Sequence, residues 1–229
     1  MDIGATLRKR IAPELNHLYT TRPFPLADGS LDGGWYCREH AFHVFILARL
    51  FGVDSDIRRG DFIVSVSGFP QVHSLDIADD HMWCRVGIML PVDLSLTLRY
   101  FDGLPQLKMP ITKAGMNGPY RVDYTTKEVD PESRPDKSIM LIEREVVSVS
   151  PIELLRDPYR LLHPPNPADT MNWDARYGPE IYARITLHCL RVATGHAKTT
   201  RNRLSAADSP KWITDAYPNA LDELTRLLQ

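Results

Sequence analysis

Between Cys37 and Phe51 the apolar residues Ala41, Val44, Phe45, Ala48 and Phe51 recur at the i, i+3, i+4, i+7 spacing of a helix, and Gly52 follows where a C-terminal cap belongs. Ile46, Leu47 and Leu50 carry the apolar surface almost all the way round. A helix without a broad polar face cannot lie on the outside of a protein. The spacing therefore predicts a central helix, with Arg38, Glu39 and Arg49 reaching an edge of the fold.

What surrounds it reads as mixed structure. Residues 56–66 and 80–90 are rich in β-branched and aromatic residues, and Gly68-Phe69-Pro70 breaks the chain between them. Residues 91–97 can add a short hairpin partner, and 138–149 read as one more strand. The stretch 98–135, rich in Gly, Pro and polar residues, reads as long loops with one strand, a lid or substrate wall. Residues 151–156, 179–194 and 221–228 have helical spacing, as in Ile181, Ile185, Cys189 and Val192. The expected class is α+β in one domain spanning 1–229, with a core at about 30–150 and a helical C-terminal elaboration at about 151–229. Residues 4–19 read as a packing arm interrupted by Pro13.

Charge excludes some partners. With 27 Lys plus Arg against 29 Asp plus Glu the formal charge is −2, too little positive charge for general attraction to nucleic acid or an anionic membrane. The basic clusters at Arg8-Lys9-Arg10 and 198–203 read as solvated faces or a helix end. The same three residues interrupt the first 15 positions, so no export signal is visible there, and no apolar run approaches the roughly 20 residues that span a bilayer. A soluble cytoplasmic protein is expected, unless a signal-independent secretion system takes it.

Three cysteines, Cys37, Cys84 and Cys189, with no CxxC pair, suggest neither a disulfide framework nor a four-cysteine zinc site. Cys84 and Cys189 read as buried small hydrophobes. Cys37 differs, because it opens the predicted helix, where unpaired N–H groups and the helix dipole favour a thiolate. Gly33-Gly34 just before it allow close approach of the backbone and leave N–H groups able to face an oxyanion. His81 then opens a predicted strand, and Asp93 follows on the next segment. A thiol nucleophile needs an imidazole to take and return its proton and a carboxylate to hold the ring in one tautomer. Adjacent antiparallel strands can set His81 beside Asp93 and pack on the Cys37 helix.

Cys37-Arg38-Glu39-His40-Ala41, Leu47-Ala48-Arg49-Leu50-Phe51-Gly52-Val53, Arg58-Arg59-Gly60, His81-Met82-Trp83 and Pro91-Val92-Asp93 together resemble the transglutaminase-like superfamily of papain-fold cysteine enzymes, over residues 33–97. The resemblance implies a helix carrying the nucleophile packed on an antiparallel sheet. It assigns Cys37 as nucleophile, His81 as general acid and base, and Asp93 as orienter, and it needs no cofactor. The implied chemistry is hydrolysis, deamidation or acyl transfer at an amide of a protein, peptide or small molecule, through a thioester. Arg38 stands where animal crosslinking enzymes carry tryptophan, which argues against crosslinking.

Other uses of the same residues compete. Arylamine N-acetyltransferase also combines a glycine pair, a helical cysteine, a strand histidine and an aspartate, but Trp35-Tyr36 separates the glycines from Cys37 here. A non-catalytic binding module on the same fold is a reading of a different class. Cys37, His40 and His43 with His81 would make a mixed zinc site, yet positions six apart on a helix diverge by about 120°, so no metal is expected. Trp35 and Trp83, beside the nucleophile and the base, are candidates to shield an acyl intermediate or hold a substrate stem. Asp79-Asp80 read as carboxylates of a turn entering the strand.

Overall fold

The computed structural model of the chain describes residues 24–25, 31–32, 37–65, 75–87, 90–92, 115–117, 120–128, 137–163, 177–194 and 210–229. A small antiparallel ladder pairs β1 (Phe24–Pro25) with β2 (Leu31–Asp32). Helix α1 (Cys37–Leu50) follows, then β3 (Ser55–Ser65), β4 (Leu75–Val86), β5 (Leu90–Val92), β6 (Gly115–Asn117), β7 (Tyr120–Thr125) and β8 (Ser138–Val147). Helices α2 (Pro151–Arg156), α3 (Pro158–Leu162), α4 (Tyr177–Ala193) and α5 (Pro210–Leu227) close the chain. The class is α+β, and the predicted central helix is present within a residue of its expected ends.

Strands β3 to β8 form one sheet in the order β5-β4-β3-β8-β7-β6. The expectation of an antiparallel sheet holds for β5-β4-β3-β8 and fails at β7, which runs parallel to β8 with Tyr124 opposite Leu141. A parallel neighbour needs a crossover of about a dozen residues, and residues 126–137 supply that length between the two strands. The polar stretch 98–135, expected as long loops with one strand, contains two described strands, β6 and β7. Asp79 and Asp80 lie within β4 rather than in a turn before it.

Helix α1 ends as its sequence dictates. Gly52 takes φ 69°, its N–H donates to Arg49 O at 2.9 Å, and the Val53 N–H reaches back to Ala48 O at 2.9 Å. This is the two-bond C-terminal cap that only a residue free to adopt positive φ closes without strain. Arg49 in the last turn bonds Ser55 O and pairs with Asp54 at 2.7 Å, tying the turn to the start of β3. All ten residues from Glu39 to Ala48 are buried. One core joins Phe42, Ile46 and Leu47 to Ile57, Met82, Cys84 and Val86 of the sheet, Leu154 and Leu155 of α2, and Tyr182, Ile185 and Cys189 of α4. Each such side chain contributes about 1.5–3 kcal/mol by leaving water. Contrary to expectation Glu39 does not reach an edge: it is 4% exposed, with His163 at the end of α3 lying against it.

Strand alternation divides the sheet into two unlike faces. Ile57, Met82, Cys84, Val86 and Val147 look toward α1. Asp56, Arg58, Trp83 and Arg85 take the other side, where Arg58 and Trp83 are buried and Asp56 and Arg85 part-exposed. Gly60, partnered by His81 on one side and Glu143 on the other, sits at irregularities in both of its ladders. A Cβ there would collide with the Ile142 carbonyl oxygen and come within 2.9 Å of the Ile142 carbonyl carbon, so the close approach of β8 requires glycine.

Candidate active site

Cys37 is the first residue of α1 and is partly exposed, with its side chain against the edge of the core. Cys84 and Cys189 are wholly buried, and burial pushes both thiols far above the ordinary cysteine range. Asp56 adds to that effect at Cys84. The three thiols thus separate into one at a helix tip in contact with solvent and two sealed in apolar surroundings.

His81 lies inside β4 opposite Gly60 and is 4% exposed. Its ring is stacked with that of Trp83, centroids 6.0 Å apart and planes 24° from parallel, which fits two residues on one side of a strand. Trp83 in turn meets Tyr124 of β7 edge-on at 6.3 Å. His81 and Trp83 therefore occupy the face away from Met82 and Cys84. Asp93 and Trp35 lie outside the described residues, so of the five expected site residues three are located: Cys37, His81 and Trp83.

The face that carries His81 holds an ion network, buried at Arg58 and part-exposed at its other members, that the sequence did not reveal. The Arg58 side chain, 6% exposed, bridges Asp56 at 2.7 Å and Glu143 at 2.5 Å, and Arg85 joins at Asp56 with 2.6 Å. Arg58 stands directly opposite Trp83 in the ladder. Trp83 Nε1 and Glu143 Oε2 are buried and have no hydrogen-bond partner among the described residues. Arg58-Arg59-Gly60 drew attention as a motif, but its acidic partners come from Asp56 nearby and from Glu143, 85 positions away, which only the sheet brings in.

A second polar group surrounds the first turn of α1. His163, at the C-terminal end of α3, receives Arg38 Nη1 at Nδ1 (3.2 Å), while its Nε2 faces Glu39 Oε1 at 3.3 Å and the Tyr182 hydroxyl at 2.9 Å. The ring is stacked on Tyr159 at 4.7 Å. Deeper along α1, His43 Nε2 lies 2.9 Å from His188 Nδ1 of α4. Burial, then the neighbouring His188 and His40, hold His43 well below the ordinary histidine range. His40 and His43 are thus interior residues. Among the described residues no cluster of three or more His, Cys, Asp or Glu side chains can hold a metal ion.

No family model matches the chain, and neither the curated proteins nor the solved structures contain a match. None of the described helices is long and apolar enough to cross a membrane.

Proposed function

We propose that the chain is a cysteine enzyme of the transglutaminase-like, papain-fold kind, acting on an amide or related acyl bond with Cys37 as nucleophile, His81 as general acid and base and Asp93 as the group that steers the ring. The observation that carries this reading is the contrast among the thiols: Cys37 alone of the three begins a helix and meets solvent. The first N–H groups of a helix have no intrahelical acceptor, so they favour a thiolate and can receive an oxyanion.

The 14 residues of α1 extend about 21 Å, and the strand from Ser55 to Gly60 covers about 17 Å, so lengths alone let the start of α1 lie near the level of the Gly60–His81 pair. His81 itself stands in mid-strand on the face away from the α1 contact, since β3 runs on to Ser65 and β4 begins at Leu75. The proposed reaction therefore requires a rearrangement that brings sulfur and ring to one side of the sheet.

The chemistry is then ordinary acyl transfer. The sulfur attacks the carbonyl carbon, the tetrahedral oxyanion turns to the first-turn N–H groups, and the C–N bond breaks as His81 gives the departing amine its proton. A thioester remains. Water or a second amine attacks it, His81 takes the proton of the attacking group, and the thiol is released.

The test is iodoacetamide labelling of the native protein across pH, with peptide mass analysis by site. Cys37 is expected to react much faster than free cysteine near neutral pH, with His81→Ala and Asp93→Ala removing the advantage. A Cys37 that reacts at the free-thiol rate, unaffected by His81→Ala, leaves a non-catalytic module on this fold.

A further inference from the structure

We infer that Glu39, His163 and Tyr182 are positioning residues, which hold the His163 ring with Nδ1 turned to Arg38 so that it anchors Arg38, the residue adjoining Cys37. The inference deepens the proposal above and rests on Cys37 being the nucleophile.

The tautomer follows from the inventory of donors and acceptors. A guanidinium only donates, so the contact from Arg38 Nη1 at 3.2 Å makes His163 Nδ1 the acceptor. The ring proton then sits on Nε2, where it faces two acceptors, the Tyr182 hydroxyl at 2.9 Å and Glu39 Oε1 at 3.3 Å. A proton on Nδ1 instead would set donor against donor at Arg38 and leave Nε2 with nothing to give to Glu39. Glu39, 5% exposed at its side chain, cannot satisfy its charge in water and relies on such a donor.

The ring is also held in orientation. Tyr159 of α3 stacks on it at 4.7 Å with planes 19° apart, and Tyr182 of α4 meets it edge-on at 5.9 Å. Tyr182 in turn packs edge-on against Phe42, one turn further along α1, at 5.2 Å. The first turn is thereby fixed to α3 and α4 through residues 38, 39 and 42, and the sulfur at 37 is carried on that turn. Catalytic placement is sensitive on this scale, since a displacement of about 1 Å can cost on the order of 100-fold.

Three variants of the full chain test this: His163→Phe, which keeps the stack on Tyr159 and loses both polar contacts; His163→Gln, whose carbonyl can accept from Arg38 while its amide donates to Glu39; and Arg38→Leu. The readouts are the pH profile of Cys37 alkylation and hydrogen exchange of the first-turn amides of α1. His163→Phe and Arg38→Leu are expected to slow Cys37 alkylation about tenfold or more and to speed first-turn exchange, with His163→Gln recovering much of the rate. Nitrogen-15 spectra of the wild-type ring should show the proton on Nε2. A proton on Nδ1, or a His163→Phe protein with the wild-type pH profile and unchanged exchange, overturns the inference. If wild-type Cys37 reacts no faster than free cysteine, the catalytic proposal fails, while the ring spectra and the exchange data still decide whether the anchor exists.

Discussion

The imidazoles of His43 and His188 meet edge to face in the interior, Nε2 to Nδ1 at 2.9 Å, with ring centroids 4.9 Å apart and planes 88° from parallel. They join α1 to α4 through one shared hydrogen bond, which requires one ring to donate and the other to accept.

This pair should make the fold sensitive to mild acid. His43 is held below its ordinary value of 6.5 by burial first and by the neighbouring imidazoles second, so the unfolded chain binds a proton more readily than the folded one. Its contribution is fully present above about pH 6.5 and declines as pH falls toward the folded-state value, with a slope of up to about 1.4 kcal/mol per pH unit. Urea melts at pH 7.5, 6.5 and 5.5 measure it, and an unchanged midpoint would refute it. The double variant His43→Leu with His188→Leu should flatten the slope at little cost at pH 7.5, because removing both partners strands neither.

Arg58→Met should destabilise the protein by about 1–3 kcal/mol, since it leaves the part-buried Glu143 carboxylate without its Arg58 partner, while Asp56 keeps Arg85. Arg58→Lys should rescue little, because one ammonium cannot reproduce a planar fork spanning two strands. A lowered denaturant midpoint is the expected outcome, and one equal to wild type would refute it.

Gly60→Ala should cost about 1–3 kcal/mol or more. The added methyl runs into the Ile142 carbonyl, which is backbone in the neighbouring strand and has no flexible end to withdraw. A thermal melt indistinguishable from wild type would mean that the β3–β8 irregularity relaxes freely.

Thiol counting separates the cysteines without any assumption about catalysis. One modified cysteine, Cys37, is expected under native conditions and three in urea, as read by intact mass after alkylation, because Cys84 and Cys189 are wholly buried with thiols pushed up by that burial. Rapid native labelling of Cys84 would contradict the packing of β4 on α1.

Much of the architecture was legible because it is periodic. The spacing from Ala41 to Phe51 and the glycine after it announced α1, and the runs around Ile57, Met82 and Ile139 announced strands. The parallel placement of β7 was not legible, since a strand's own residues carry no mark of the direction in which it runs beside its neighbour. Pro218 hid the first half of α5, being a residue that ordinarily breaks a helix; there it is exposed within one that runs from Pro210 to Leu227. Cys37, His81 and Trp83 were singled out by residue type and order. Glu39, His163, Glu143 and His188 were missed, because a polar residue buried by a distant partner carries no local mark of that partner.

The central position of β3 bears on how the molecule is made. One of its edges can be covered by β4 soon after the chain emerges, but the other waits for residues 138–147, more than seventy positions later. Until then a nascent chain presents an open ladder of backbone donors and acceptors flanked by apolar side chains, a template for wrong partners. Slow maturation, reliance on chaperones during synthesis, and aggregation of any fragment cut off before β8 follow from where one strand was inserted in the sheet.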